Sequence, residues 1–415
     1  MSAAFDASQI DRLLADPKTY ADPALHYDLL RHLRDEEPVR WVAPEGHRPF
    51  WIVTRHEDIQ AVEGDSTVFL NAPRIALRPI AFEEELARSR NGAPLLIRSM
   101  NAMDGEAHRQ MRGVTSRDFL RPNVEKLAAQ IDEVAVEFVD RLAARSPACD
   151  FVQEVAVWYP LRVIMTLLGV PAHDEKRMLE LTQAVFTGKD KLAAAEAFFE
   201  YFRPVVAERR ANPCGDLASR IANATVEGEP LGEFETLSYF MNIATAGHDT
   251  TSATIAGGLL ALIQHPEQME RLRARPELLD SAADEMIRWV APVKHFFRTA
   301  AVDAEIAGQP IKAGEAVMIA FPSGGRDARV FDRPDQFLID RSPNRHTALG
   351  HGVHACLGQH LARLEIRQFF RRLLERVEHV ELEGPPVWGE SVFISGMESM
   401  PIRFTLKSGG EGKAY

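Results

Sequence analysis

Cysteine is scarce in this chain: there are three in 415 residues. Cys149, Cys214 and Cys356 are odd in number and far apart, which excludes a disulfide framework and points to reduced thiols. Positive charge is also short, with 48 Lys and Arg against 60 Asp and Glu and a formal net charge of −12. A chain-wide basic footprint for nucleic acid is therefore excluded, and any anionic partner must meet a local patch. The first residues, "MSAAFDASQIDRLLADP", carry Asp6, Asp11 and Asp16 and lack a basic segment followed by an apolar run, so neither secretion signal nor membrane anchor is expected and the protein reads as cytoplasmic. Internal repeats and low-complexity tracts are missing as well, which excludes solenoids and arrays.

What remains is a globular composition, 46% hydrophobic, with helical periodicity broken by short β-like pieces. "PFWIVT" (49–54) reads as a strand, and the stretch from Val302 to Ala320 as small hairpins turned at Gly308 and Gly314. Between Val124 and Val290 nearly everything is helix or helix connection, and "LLGVP" ends a helix with glycine followed by proline. The fold class is mainly α with a minor β region. Cys149 and Cys214 fall in loop-like "SPACD" and "NPCGD" and read as bystanders.

One helix is unusual. From Thr236 to Gln264 the only side chains that can carry charge near neutral pH are His248 and Asp249. At 1.5 Å per residue it spans roughly 43 Å, enough to cross a domain. A membrane span is disfavoured by Asn242, His248, Asp249 and several Thr, Ser and Gly residues, so a buried central helix is expected. Burying Asp249 without a partner costs several kcal/mol, Gly247 costs a helix interior about 1 kcal/mol relative to alanine, and Thr250 can bond back to the carbonyl of Ala246. Together they suggest a helix opened locally for a small guest and supplied with a proton route; close helix packing on small residues is the alternative.

The stretch "LGHGVHACLGQHLARLE" (349–365) crowds three glycines, and two histidines ahead of the cysteine, round Cys356 where a helix begins. Helix N-terminal amides favour a thiolate, and Gly350, Gly352 and Gly358 let backbone approach a flat group. Zinc on His351, His354 and Cys356 is the rival, but it lacks a fourth ligand and a paired cysteine. An axial thiolate to haem iron fits better.

Gly-x-Gly-x-His-x-Cys-x-Gly is similar to the haem-binding signature of the cytochrome P450 family, and "AGHDTT" resembles its oxygen-binding motif. Glu285 and Arg288 match the family's Glu-x-x-Arg pair, His108 and Arg112 its basic positions after "DGEAH", and Arg298 in "FFRTA" another. The resemblance covers residues 20 to 405 and implies one P450 domain over 1–415, with short tails at about 1–15 and 406–415. Its haem b would lie between the central helix and the cysteine-ligand helix, touching Ala246, Gly247, Gly350 and Gly358. Cys356 would ligate the iron, with no zinc and no bound flavin. His108, Arg112, Arg298 and His354 would hold the propionates. Thr250 would supply a hydrogen bond at the oxygen site and Asp249 gate protons, while Glu285 and Arg288 form a structural pair. Two departures stand out. Leu349 replaces the usual phenylalanine, and Pro334-Asp335-Gln336-Phe337 lacks the arginine that often joins the Glu-x-x-Arg pair, leaving Arg341, Arg345 or no residue in that role.

The family's reaction then implies a monooxygenase that inserts one atom of O2 into a C–H bond. Electrons would come from NAD(P)H through a reductase and a 2Fe-2S ferredoxin. Arg363, Arg367 and Arg371 form a stripe on the helix after Cys356, where five arginines face two glutamates, a docking candidate for an acidic ferredoxin; solvated decoration is the alternative. Likeness is greatest to the family's terpineol-hydroxylating branch, so a small terpenoid or alkyl-aromatic or phenolic substrate is expected. Thr245, Ala246, Val293, Phe296, Phe393 and Ile394 would line an apolar pocket, with Asn242 on the same helix face to bond a substrate oxygen. A peroxide-driven hydroxylase or decarboxylase, a haem sensor, and an enzyme for carrier-bound substrates are the other readings.

Overall fold

Helices dominate the computed structural model, which describes residues 5–89, 96–187, 190–394 and 396–408. The central helix runs Glu233–Gln264. It starts three residues before the expected Thr236 because Glu233 and Glu235 stand in its first turn, where the helix dipole favours negative charge. Nearly all its faces are buried, against the helices Trp158–Leu167 and Leu279–Val290 among others. The ligand helix, Gln359–Arg376, packs on Leu279–Val290 and on Ala128–Ala143. Among the described residues no helix is long and apolar enough to cross a membrane.

The minor β region is a five-stranded sheet built from β1 (Val39–Val42), β2 (Phe50–Val53), β3 (Phe69–Leu70), β4 (His295–Ala300) and β7 (Ala316–Ala320), ordered β1-β2-β7-β4-β3. All pairs are antiparallel except β2 with β7, where Met318 stands opposite Ile52. Of the two expected hairpins one forms, β5 (Ala304–Ile306) with β6 (Gln309–Ile311), closed at Gly308. Gly314 acts differently: at φ +87° its N–H bonds Ala300 and steers β7 onto β4 instead of back onto β6. Cys149 is also not in a loop; Ala148–Asp150 is an edge strand on Pro401–Leu406, and burial pushes its thiol up to about 12.

The expected N-terminal tail is structured. Residues Ala7–Ala15 form a helix with a capping box on Asp6, and Ile10 and Leu14 pack into a core beneath the sheet with Leu29, Phe50 and Phe297. At the other end Leu406 closes a strand and Lys407 bonds Arg376; residues 409–415 lie outside the described residues.

Glu285 and Arg288 are fully buried and joined by two bonds of 2.7 Å. The third partner is Arg341, whose Nε donates to both Glu285 oxygens at 3.2 and 3.0 Å. Asn344 and the amide of Leu338 complete the carboxylate's shell, while Arg288 and Arg341 donate to carbonyls of residues 325–336. This cluster anchors the loop that leads to Cys356. Arg345 contributes only its carbonyl, to His56. Removing one member leaves buried charge uncompensated. Arg341→Ala should therefore lower unfolding free energy by about 3–5 kcal/mol in denaturant titrations, while Arg345→Ala should cost less than about 1 kcal/mol.

Candidate active site

Cys356 stands three residues before the ligand helix, in a loop that doubles back so tightly that its N–H bonds Leu349 O at 2.7 Å. Gly350 and Gly352 make this possible at φ +70° and +68°, and a Cβ on Gly352 would lie 2.5 Å from Glu63 O. The thiol's environment overrules the helix-dipole expectation: burial pushes its pKa up, against weaker pulls from the Gly358 amide, Arg112 and Arg363. A metal cation coordinated at the sulfur would take the proton's place and favour the thiolate.

On the facing helix, Thr250 Oγ1 donates to Ala246 O at 3.1 Å, as its spacing predicts. Ala246 is exposed although its neighbours toward the N-terminus are buried, which marks open space beside the helix. Gly247 does not face that space. A Cβ there would meet Ile164 Cδ1 at 2.9 Å, so this glycine lets two helices pack closely, as the alternative reading of the motif expects. Asp249 is mostly buried, which raises its pKa, and His248 opposes the rise. His248 Nδ1 lies 3.1 Å from Asp249 Oδ1, close but not aligned as a hydrogen bond, while its Nε2 meets Val157 O at 2.9 Å. A carbonyl only accepts, so Nε2 carries hydrogen.

The four basic residues converge from three segments. His108, on the helix Gly105–Gly113, stacks on His354 with ring centroids 3.8 Å apart. Arg112 donates to Ala355 O at 2.6 Å and Arg298 to Phe297 O at 2.9 Å. Burial and the neighbouring cations hold His354 down at about 3, and burial with Arg112 lowers His108. Nε2 of both histidines is buried without a hydrogen-bond partner. Neutral donors orphaned beside two arginines are what an anionic group requires.

Glu63 was not anticipated. It is buried on the helix His56–Gly64 and its Oε1 lies 3.1 Å from Arg298 Nη2. The spacing Ile59-x-x-Val62-Glu63 places it on the apolar face of its helix, and that was the available signal.

Val293 bridges to Ile394, Lys294 N–H bonds Phe393 O at 2.9 Å, and the Phe296 and Phe393 rings stand 5.4 Å apart edge to face. These four pocket candidates are thus brought together. Thr245 turns its hydroxyl to Met241 O at 2.7 Å, and Asn242 Oδ1 accepts from Ser99 Oγ. The arginine stripe is largely neutralised: Arg363 pairs with Asp284 at 2.7 Å, and Arg367 with Asp280 and Glu125 at 2.8 and 3.0 Å. The local cationic excess counted from the ligand helix alone is therefore corrected by acids on other helices.

Residues 185–392 match the family model for cytochrome P450. Cytochrome P450-terp of Pseudomonas sp is 39% identical over 95% of this chain and 97% of its own length. The crystal structure of CYP108D1 from Novosphingobium aromaticivorans superposes with a TM-score of 0.93 at 39% identity, covering 96% of this chain and 99% of that one. The chain belongs to the cytochrome P450 family. A Mycobacterium marinum P450, CYP268A2, solved with pseudoionone, has a TM-score of 0.87 at 32% identity over 97% of this chain and all of its own. The fold is thus the P450 fold, the cofactor is haem b, and the protein is a cytochrome P450 monooxygenase. Its residues fit the group: a half-buried thiol in the tight loop, orphaned ring nitrogens beside Arg112 and Arg298, and a glycine loop closing under them. If Cys356 is the iron ligand, the reduced carbon monoxide complex should show the strongly red-shifted Soret band of haem-thiolate proteins, lost in Cys356→Ala; an unshifted wild-type band would refute the ligand.

Proposed function

We propose that this P450 hydroxylates a small hydrophobic molecule that already carries oxygen, a terpenoid alcohol or ketone, or a phenol or aryl ether. When bound, haem would supply the activation of dioxygen by which, with two electrons from the donor and two protons, one oxygen atom enters a C–H bond of the substrate and the other leaves as water. In this reading Cys356 ligates the iron, His108, Arg112, Arg298 and His354 hold the propionates, and Ala246, Gly350 and Gly358 face the porphyrin. Thr250 positions a hydroxyl at the oxygen site, and Asp249, whose pKa burial raises, passes protons toward it. The presence of both alcohol and acid supports oxygen-driven turnover over a peroxide-driven reaction.

Asn242 carries the substrate assignment. Ser99 donates to its Oδ1 and thereby orients the amide, leaving Nδ2 as a donor on the helix that carries Ala246 and Thr250. A side-chain amide held this way recognises a substrate oxygen, and an analogue lacking that oxygen leaves the donor unsatisfied. The pairing of relatives supports the same class, since one is named for terp and another was crystallised with pseudoionone. Asn242→Ala should weaken binding of the oxygenated compound by about 1 kcal/mol or more while sparing its deoxy analogue, read by spin-state titration; equal losses would refute the amide's role.

Electrons enter, in this proposal, from a 2Fe-2S ferredoxin docking where the ligand helix begins. Arg363 and Arg367 are engaged internally, so Arg371 and the adjoining surface carry the interaction: Val353 and Leu120, 51% and 54% exposed, offer apolar contact, and Arg121 is exposed without an acidic partner among the described residues. Arg121→Glu should slow reduction by ferredoxin and flatten its salt dependence without changing substrate affinity.

A further inference from the structure

Glu63 is out of place by composition. Acids are almost never fully buried unless paired, and this one is 4% exposed at the back of the loop that carries Cys356. Three elements close on it. From β4 comes Arg298, whose Nη2 is 3.1 Å away and whose other end is tied to Phe297 O. From the ligand loop come the main-chain amide of His351, aimed at the carboxylate, and Gly350, whose Cβ would lie 3.3 Å from Oε1. Its own helix contributes Gly64 against the His351 ring. Arg298 in turn feels Asp104 and acts on His354. One half of the carboxylate is thus held, while Oε2 is buried with no hydrogen-bond partner among the described residues.

This geometry has two consequences. The arginine expected to neutralise a propionate is already shared with a protein carboxylate, so its charge is partly spent before the haem binds. In addition, the negative charge of Glu63 sits behind the ligand loop in a region of low dielectric, where it stabilises the more oxidised, more positive state of the iron. We propose that Glu63 is a positioning residue of the haem site that grips Arg298 and the His351 amide from behind the ligand loop, lowers the iron reduction potential when ionised, and takes up a proton when the iron is reduced. One electron enters from the donor and one proton from solvent, converting the carboxylate to the carboxylic acid.

Burial pushes the Glu63 pKa up to about 7, against the pull of Arg298 and the His351 amide. The proton is therefore exchanged in the physiological range. Below this pH the group is neutral and the potential high; above it the carboxylate is charged and the potential falls. The inference rests on Cys356 as iron ligand, which the carbon monoxide spectrum of the same samples checks separately.

The experiment is spectroelectrochemical titration of substrate-free holoenzyme, wild type and Glu63→Gln, from pH 5.5 to 8.5. Wild-type potential should decline through neutrality, with a slope that stays below the one-proton-per-electron limit of about 59 mV per pH unit. Its ferric-to-ferrous equilibrium constant should change about three- to tenfold overall, about 28 to 59 mV. Glu63→Gln should hold the high value at every pH. A wild-type potential that is flat between pH 6 and 8 overturns the proposal even if the variant does not retain haem. An unchanged slope in Glu63→Gln assigns the proton elsewhere and overturns it as well.

Discussion

A buried thiol resists ionisation, and that constraint organises the site around it. Cys356 lies in a pocket that favours the neutral form, with one amide and two arginines as counterweight. A cation bound at the sulfur would tip that balance toward the thiolate. The glycine loop, the convergent histidines and arginines, and the ligand helix all serve to set that sulfur opposite the central helix with its partners already in place.

The loop cannot hold itself. Its main chain turns through left-handed conformations at Gly350 and Gly352, and it is clamped from two sides. On one side Glu285, Arg288 and Arg341 tie the helix Leu279–Val290 to the segment leading into the loop, through bonds that satisfy every oxygen of the buried carboxylate. On the other, Glu63 and Arg298 join the loop to the sheet. Both clamps are buried ion pairs, so each is costly to break and strict in geometry. The N-terminal helix is part of the same frame, since it packs beneath the strands that carry Arg298.

Acid and base placement also explains why charge counting along one helix misleads. The ligand helix carries five arginines, yet Arg363, Arg367 and Arg372 meet Asp284, Asp280, Glu125 and Asp132 from neighbouring helices. Such pairs lock helix to helix. Exposed apolar side chains remain at Val353 and Leu120, and an exposed arginine at Arg121.

Local chemistry was legible in the sequence where one residue type admits few roles. A lone cysteine among glycines, an acid and an alcohol inside an apolar helix, and paired Glu and Arg three apart each announce themselves because their cost elsewhere is high. Mainly helical structure followed from periodicity for the same reason. Other features depend on what packs against a residue, and this only the tertiary structure decided. Gly247 packs against Ile164, Arg341 and not Arg345 completes the buried cluster, Gly314 redirects a strand, and Ser99 takes half of Asn242. Glu63 lies between these cases: helical spacing placed it on an apolar face, but its meaning came from Arg298, 235 positions away along the chain and 3.1 Å away in space. Side-chain spacing reports which face of its own element a residue occupies; the partner across the interface is set by how the whole chain folds.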